Sequence, residues 1–188
     1  SPHMAQRITG VGFNVKYISS VGDGLAEMEE AFRLALKRAS LVITTGGLGP
    51  TDDDLTKRAI VKVFKRNLIV HDDILEEQKC LCAERGMERP PPIQNQALLP
   101  QGASFFPNKH GSAVGICISE QGRIFISLPG VPLEMKQILA DEVLPYLTGL
   151  NLRQAACSVI LRTTGIGESS LAELIKPKLK LRPGVKLA

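Results

Sequence analysis

A β-branched run that passes directly into a glycine-rich turn constrains the fold of this chain most. "LVITT" at residues 41–45 is followed by "GGLGPTDDD", and "LTKRAIVKVFKR" then shows the periodicity of an amphipathic helix. A continuous apolar run of this length is typical of a strand buried on both faces of a parallel sheet. The segment therefore predicts a strand–loop–helix unit, from which α/β proteins are built.

The same alternation of short apolar runs and helical patterns extends along the chain. Residues 13–19 have the pattern of a strand and residues 24–40 that of a helix. Residues 113–119 and 124–128, separated by the turn "EQGR", predict an antiparallel hairpin, and residues 132–147 predict a helix. This order predicts a three-layer, doubly wound α/β fold whose mostly parallel sheet ends in an antiparallel edge hairpin.

Further elements are predicted in the middle and near the end of the chain. Residues 74–85 have a helical pattern, and three consecutive prolines within residues 86–100 predict a rigid, extended connection. Near the end of the chain we expect a strand at 156–164, a helix at 168–181 and the start of a strand at 184–188.

Composition excludes several classes of protein. The chain has 188 residues, of which 44% are hydrophobic and 22% charged, as in a soluble globular protein. No apolar run approaches the roughly 20 residues that cross a bilayer, and no signal-peptide pattern opens the chain. The four cysteines, at 80, 82, 117 and 157, lack zinc-site spacing. We expect a cytoplasmic protein with reduced thiols and no membrane contact.

Charge is distributed unevenly along the chain. Residues 151–188 contain seven Lys or Arg and two Asp or Glu, whereas residues 1–150 contain sixteen and seventeen. A nearly neutral main domain favours a small-molecule site over a nucleic-acid surface. We expect a domain at 5–150 and a separate basic segment at 151–188, and we interpret "SPHM" at 1–4 as vector-derived.

Two loops follow predicted strands, "GGLGPTDDD" after 41–45 and "PGVP" after 124–128. If these strands are parallel, both loops open onto the same sheet edge and form one crevice. Gly46, Gly47 and Gly49 allow the backbone to approach an anion closely, beside the amides of a helix N-terminus. This glycine loop has neither the Walker A nor the dinucleotide-binding spacing.

The aspartates that follow the glycines have two interpretations. Thr51 and residues 52–54 lie where a helix is predicted to begin, so they could cap it and interact with its dipole. One carboxylate suffices for capping, and three adjacent carboxylates repel both one another and a phosphate. A divalent cation such as Mg²⁺ resolves the conflict, because it is held by one or two carboxylates together with substrate phosphates. Metal-assisted phosphate binding is the favoured hypothesis.

The second loop offers fewer chemical groups. Gly130 suits a tight turn, Pro132 suits the first position of a helix, and Glu134 falls in the first helical turn. For Glu134 alone, interaction with the helix dipole is favoured over ligand binding. His71 and His110 have no partners at metal or catalytic spacing and are interpreted as exposed loop residues.

Three motifs in sequence order carry a resemblance to a known family. "TTGGLGPTDDDLT", "NQALLPQGA" and "LPGVPLEM" are similar to motifs of the molybdopterin-binding domain shared by enzymes of molybdenum-cofactor synthesis, and especially of its CinA-like members. The resemblance runs from about residue 8 to the end of the chain. The family's Asp-x-Thr corresponds to Asp54, Leu55 and Thr56, and the CinA-like form has two aspartates that match Asp53 and Asp54.

The resemblance implies a metal-dependent pyrophosphatase that acts on ADP-ribose, or alternatively a binding module for a nucleotide or pterin. It implies a divalent cation, expected to be Mg²⁺, held by Asp53 and Asp54, which are the candidate catalytic residues. It also implies a homodimer. The candidate phosphate and ligand contacts are Gly46, Gly47, Gly49, Thr51, Thr56, Asn108, Ser112, Gly130, Pro132 and Glu134.

The chain departs from the family pattern at three places. The family's first strand and its following loop have no counterpart here, so we expect a gap beside residues 41–45 and self-association. "NKHGSAVG" at 108–115 stands where CinA-like proteins have a Gly-Thr-Ala-Pro-Gly loop, with Ser112 for the threonine and Val114 for the proline. CinA-like proteins often carry a C-terminal amide hydrolase that residues 1–188 do not resemble, and we expect residues 151–188 to be the beginning of a small linking domain, cut short.

Overall fold

The computed structural model describes residues 2–51, 53–84, 86, 93–150 and 162–177. The chain forms two compact units, Ser1–Ala156 and Cys157–Ala188. Within the described parts, no helix is both long and apolar enough to span a bilayer. In the second unit the structure describes one helix, Glu168–Ile175. The strands predicted at 156–164 and 184–188, and the last part of the predicted helix, lie mostly or wholly outside the described residues.

The first unit alternates helices and strands. In chain order its elements are α1 (Pro2–Gly10), α2 (Leu25–Arg38), β1 (Leu41–Thr45), α3 (Thr56–Phe64), β2 (Leu68–Val70), α4 (Asp72–Glu84), α5 (Ile93–Ala97), β3 (Leu98–Pro100), β4 (Ser104–Phe106), β5 (Gly115–Glu120), β6 (Arg123–Leu128), α6 (Pro132–Ile138), a π-helical turn (Leu139–Val143) and α7 (Leu144–Gly149).

The main sheet is mixed, with the strand order β1-β6-β5-β4. Strand β1 pairs with β6 in parallel, whereas β6 with β5 and β5 with β4 pair antiparallel. The predicted hairpin is confirmed, and Gln121 and Gly122 form its two-residue turn, both with positive φ. The expectation of a mostly parallel sheet is corrected by this topology, because only one of the three pairs described is parallel. A separate antiparallel pair joins β2 and β3.

Alternating side chains of β5 and β6 build two cores, one on each face of the sheet. On one face, Ile116, Ile118 and Phe125 pack with residues of α2, α3 and α4. On the other face, Cys117 and Ile126 pack with residues of α1, α6 and α7. The helices on both faces confirm the predicted three-layer α/β architecture, and they hold the ends of β1 and β6 in fixed positions.

Helices that were predicted from periodicity are present, with some changes in their limits. The pair Met28 and Phe32, one turn apart, forms the buried side of α2. Helix α3 begins at Thr56 rather than near residue 54, so the aspartates precede it. The long helix predicted at 132–147 is interrupted by the π-helical turn. Pro145 follows that turn and has no amide to donate to the preceding turn of helix, which accounts for the irregularity.

Three sequence predictions about extended segments are corrected. Residues 13–19 are not a strand, since they have no strand partner among the described residues, and Tyr17 and Ile18 are exposed. Strand β1 is not buried on both faces, because it lies at the sheet edge and only Val42 is buried. Within residues 86–100, residues 87–92 with the three prolines lie outside the described residues, and residues 93–100 are helix α5 followed by β3 rather than an extended connection. Burial of the α5 residue Ala97 stabilises the helix in place of an extended form.

Candidate functional site

The loops after β1 and β6 meet at one edge of the sheet, as the sequence predicts. In the parallel ladder Thr45 is the partner of Leu128, so the two strands end together. The Gly46 amide donates to the Leu128 carbonyl at 2.9 Å, and the Thr45 hydroxyl donates to the Pro129 carbonyl at 2.8 Å. A Cβ on Gly130 would lie 3.3 Å from the Gly46 Cα. The two loops therefore form one crevice, in which a side chain at Gly130 would crowd the backbone of Gly46.

The first wall of the crevice is the glycine turn, which Thr56 closes. Gly46 and Gly47 have φ values of 103° and 66°, in the left-handed region that favours glycine. The Thr56 hydroxyl donates to the Gly46 carbonyl at 2.9 Å, and the Thr56 amide donates to the Gly47 carbonyl at 3.2 Å. Thr56 is buried, and a Cβ on Gly47 would lie 2.3 Å from its hydroxyl oxygen. Thr56 thus holds the turn closed.

The turn presents backbone amides to the crevice. The Gly46 amide is already bonded to Leu128, so it is not free for a ligand. Within the part of the chain that the structure describes, the amides of Gly47, Leu48 and Gly49 donate to no backbone or side-chain acceptor. Consecutive free amides next to glycines form a concave anion-binding surface. Leu48 is 1% exposed, so the predicted phosphate contacts narrow to the amides of Gly47 and Gly49.

Asp54 braces the turn before α3 and does not cap the helix. One Asp54 carboxylate oxygen accepts hydrogen bonds from the Thr51 amide at 3.0 Å and from the Thr51 hydroxyl at 2.6 Å. Helix α3 begins at Thr56 with no side-chain cap. A Cβ on Gly49 would lie 2.4 Å from the same Asp54 oxygen. The capping interpretation of the aspartates is thus replaced, for Asp54, by a brace within the loop.

Whether a metal ion fits this loop depends on which carboxylate oxygens of Asp53 and Asp54 are free. Asp53 is exposed and Asp54 is half-buried, with one oxygen not engaged by Thr51. The described residues contain no cluster of three or more His, Cys, Asp or Glu side chains that could hold a metal alone. Two adjacent carboxylates fit Mg²⁺, which takes one or two from the protein and completes its shell with phosphate oxygens and waters. Asp52 lies outside the described residues.

The second wall is built around the side chain of Asn108. This amide is buried, and its oxygen accepts from the amides of His110 and Gly111, both at 3.0 Å. Its nitrogen donates to the Ala113 carbonyl and to a Glu134 carboxylate oxygen, both at 2.8 Å. All four hydrogen bonds of the Asn108 amide are therefore satisfied by the protein. Asn108, predicted as a ligand contact, instead positions Glu134.

The other predicted residues of this wall keep free groups. Ser112 is half-buried, and its carbonyl accepts from Gln78 of α4 at 3.0 Å. Gly130 and Pro132 are exposed, and Pro132 occupies the start of α6 as predicted. A Cβ on Gly111 would lie 2.4 Å from the Glu134 carboxylate, so glycine is required there for Glu134 to reach Asn108. The wall thus presents one carboxylate and one serine.

Sequence reasoning missed a buried lysine beside this site. Lys57 is 7% exposed, and its ammonium donates to the carbonyls of Asn95 at 2.8 Å and Gln96 at 3.3 Å. Burial lowers the pKa of Lys57 to about 8, while the negative charge of Asp54 opposes that shift. One signal was available, because Lys57 lies three residues before the buried Ile60, on the same face of α3.

The sequence analysis also overlooked Gln96 and described one of the two histidines wrongly. Gln96 is 1% exposed, and neither its amide oxygen nor its amide nitrogen has a partner within the described residues. His110 is exposed, as predicted, but His71 is half-buried and its ring lies 6.1 Å from that of Phe105. The prediction of an exposed loop histidine is therefore wrong for His71, since Phe105 packs against it.

A large cleft adjoins the glycine turn. It has a volume of ≈ 1230 Å³ and runs along β1, with residues 13–23 on its other side and Gly46, Gly47 and Thr56 at one end. Strand β1 is the last strand of the described sheet on this side.

Residues 1–149 match the family that is described as "Probable molybdopterin binding domain". A competence-damage inducible protein of Caldicellulosiruptor bescii is 39% identical over 176 residues, which are 94% of this chain and 43% of that relative. A CinA-like protein of Dictyoglomus turgidum is 35% identical over 186 residues, covering 99% of this chain and 45% of the relative. The chain spans less than half the length of these curated relatives.

A solved structure shows a similar fold. The crystal structure of the protein CinA with unknown function from Thermoplasma acidophilum superposes with a TM-score of 0.69 at 30% sequence identity. The similarity covers 78% of this chain and 85% of that chain. Fold and sequence comparisons thus agree on the same group of proteins.

Proposed function

The chain belongs to the family of molybdopterin-binding domains, with CinA-like proteins among its relatives, and from this membership we propose a phosphate-binding site that hydrolyses a pyrophosphate bond. The substrate class is a phosphorylated small molecule, with ADP-ribose as the first candidate and nucleotides or pterins as others. The single observation that supports this proposal most is the pair of free amides at Gly47 and Gly49, on the same loop as the carboxylates of Asp53 and Asp54.

Each wall of the crevice has a separate task in this proposal. The free amides of Gly47 and Gly49 hold a phosphate whose negative charge increases during hydrolysis. Asp53 and the free oxygen of Asp54 hold a divalent cation, expected to be Mg²⁺. A cation bound there supplies charge neutralisation of the pyrophosphate oxygens and makes a bound water more acidic. Ser112, Gly130, Pro132 and Glu134 form the opposite wall, which orients the rest of the ligand.

A second candidate function is ligand binding without turnover. It is favoured by Asp54, whose carboxylate already braces Thr51 through one oxygen. That arrangement leaves fewer oxygens for a metal and suits a loop that serves mainly to shape an anion site. The two candidates predict the same phosphate position but a different dependence on metal.

Hydrolysis assays distinguish these candidates. We expect the chain to release AMP from ADP-ribose with Mg²⁺ and to stop when the metal is chelated. Thermal-shift measurements with ADP-ribose, nucleotides and pterins, each with and without Mg²⁺, identify the ligand class. Stabilisation by a ligand without any metal-dependent turnover would favour the binding module.

The carboxylates are tested by two matched substitutions. We expect Asp54→Asn to lower kcat/KM by about 100-fold, because a metal ligand is lost. Asp52→Asn removes the same charge two residues before Asp54. We expect a much smaller loss of kcat/KM, since Asp52 does not match the family's fixed position. Equal losses in the two variants would show that the assignment of Asp54 is wrong.

We also propose that the chain forms a homodimer in the cytoplasm. The unpaired edge of β1 supports association, because strand edges with free amides and carbonyls seek partners. The free thiols of Cys80 and Cys117 are compatible with a reducing compartment. Light scattering across a dilution series tests the dimer, and a constant mass of 20.4 kDa would exclude it.

A further inference from the structure

Lys57 lies between the glycine turn and α5. Its neighbour Thr56 bonds to the carbonyls of Gly46 and Gly47, so the first turn of α3 is fixed to the glycine turn on one side. On the other side, the Lys57 ammonium bonds to the carbonyls of Asn95 and Gln96. The first turn of α3 is therefore attached at two points, to the phosphate loop through Thr56 and to α5 through Lys57.

The contacts of Lys57 satisfy groups that would otherwise have no partner. Helix α5 has five residues, too few for its last carbonyls to find N–H donors within the helix. An ammonium is favourable at that end, where the carbonyls carry partial negative charge. A buried lysine is rarely tolerated without such partners. The fold therefore fixes a positive charge at the end of α5, close enough to Asp54 for the two charges to interact.

The charge of Lys57 bears on the conflict between carboxylates and phosphate. Asp53 and Asp54 carry negative charges on the same loop as the free amides, and they repel an incoming anion. Among the described residues, the attraction between Asp54 and Lys57 raises the pKa of the lysine, against the effect of its burial. With a pKa of about 8, Lys57 remains mostly protonated at pH 7. The ammonium thus offsets part of the acidic charge.

We propose that Lys57 is a positioning residue of the phosphate site, which fixes the first turn of α3 against α5 and supplies the buried positive charge that lets a phosphate approach Asp54. This inference rests on the proposed function, because it concerns the same site. Lys57 lies outside the motifs that define the family resemblance. Its charge has opposite effects on the two ligands of the site, the phosphate and the metal cation. The charge favours an anion and disfavours a metal cation.

Two probes measure these opposite effects in the complete chain. Calorimetry with inorganic pyrophosphate in the presence of EDTA reports anion affinity. Electron paramagnetic resonance of Mn²⁺, which is silent when bound and visible when free, reports metal affinity without any anion. We expect Lys57→Met to raise the Kd for pyrophosphate and to lower the Kd for Mn²⁺. Each change should be about tenfold or somewhat less, which corresponds to ~1.4 kcal/mol at most.

Lys62→Met is the matched control. Lys62 lies on the same helix, is exposed and pairs with Glu29 at 3.0 Å, so its substitution removes the same charge far from α5. We expect both dissociation constants to stay within about twofold of wild type, because exposed charges are screened. Lys57→Gln, which is neutral but keeps two N–H donors for the carbonyls, replaces Lys57→Met if the latter does not fold.

The outcomes separate the inference from the function on which it rests. A folded Lys57 variant whose pyrophosphate and Mn²⁺ affinities equal those of wild type would show that Lys57 only joins α3 to α5, and would overturn the inference alone. Affinities that both fall would also overturn it, since general damage to the loop explains that result. Wild-type protein that binds no pyrophosphate would overturn the proposed function and this inference together.

Discussion

In the glycine corner the carboxylate of Asp54 is held by Thr51, three residues earlier, whereas in the opposite corner Glu134 is held by Asn108, 26 residues earlier. The first brace is exposed and lies within one loop. The second is half-buried, with Asn108 itself buried, and joins the start of α6 to a loop between β4 and β5. Both corners thus fix one carboxylate, but only the second requires the tertiary fold to do so.

This difference indicates how each wall responds to a ligand. Local, exposed hydrogen bonds contribute little to stability and can rearrange without disturbing the core. A buried amide with four satisfied hydrogen bonds is costly to disrupt. We therefore expect the Asp54 loop to adjust when phosphate and metal bind, while the wall of Asn108 and Glu134 keeps its shape.

The largest effect is expected for Asn108→Ala. The substitution removes four hydrogen bonds and leaves the His110 and Gly111 amides without their acceptor. At about 1 kcal/mol for each bond, the free energy of unfolding should fall by about 4 kcal/mol, which urea denaturation measures.

Asn95→Ala is the control for that substitution, because the Asn95 side chain is exposed and only its backbone carbonyl is used. We expect its free energy of unfolding to change by about 0.5 kcal/mol or less. A loss at Asn108 no larger than the loss at Asn95 would remove the distinction between a rigid and an adjustable wall.

The same distinction explains what sequence could and could not predict. The glycine turn was identified from residues 44–56 because the hydrogen bonds that close it, from Thr51 to Asp54 and from Thr56 to Gly46, join positions at most ten apart. The buried role of Asn108 depends on Glu134, and that of Lys57 on α5, so neither follows from local pattern. Residues 13–19 have the pattern of a strand, but strand formation also requires a partner, which pattern alone does not supply.

The next largest effect is a change of unfolding free energy with pH, and it arises from Lys57 in the glycine corner. The pKa of Lys57 is about 8 in the folded chain and near its ordinary 10.5 in the unfolded chain. Between these values the unfolded chain binds one more proton, so stability rises with pH by about 1.4 kcal/mol per unit. Lys57→Met lacks this contribution.

The measurement is the difference in unfolding free energy between wild type and Lys57→Met at several pH values. From pH 8 to pH 9.5 we expect the difference to shift in favour of wild type by about 2 kcal/mol. Cys117 and Tyr146, whose pKa values are raised by burial, titrate equally in both proteins and cancel. A constant difference would show that burial does not affect the proton affinity of Lys57.

Gly47→Ala tests the glycine turn, and Gly122→Ala is its control because the two glycines have similar backbone conformations. Gly47 has a φ of 66° and Gly122, in the turn between β5 and β6, has a φ of 72°. Alanine at either position should cost about 1.5 kcal/mol of stability for the left-handed conformation. At Gly47 the new Cβ also meets the Thr56 hydroxyl, whereas at Gly122 it meets open space.

Ligand binding separates these two variants. We expect Gly47→Ala to abolish pyrophosphate binding measured by calorimetry, because its amide and the Thr56 bond are displaced together. Gly122→Ala should bind as wild type does. Retention of binding by Gly47→Ala would place the anion away from the glycine turn and would contradict the proposed site.

The smallest effect on stability, about 1 kcal/mol, is expected for Thr56→Val, which removes one hydroxyl and keeps the shape of the side chain. The lost hydrogen bond is the one to the Gly46 carbonyl. Thr148→Val is its match, because the Thr148 hydroxyl also donates to a backbone carbonyl, that of Leu144, within α7. The two variants should unfold at similar urea concentrations.

Only Thr56→Val should weaken pyrophosphate binding, since the amides of Gly47 and Gly49 are ordered through the bond from Thr56 to the Gly46 carbonyl. Equal pyrophosphate affinity in both variants would mean that the turn keeps its shape without Thr56, and that its adjustable part extends beyond the Asp54 loop.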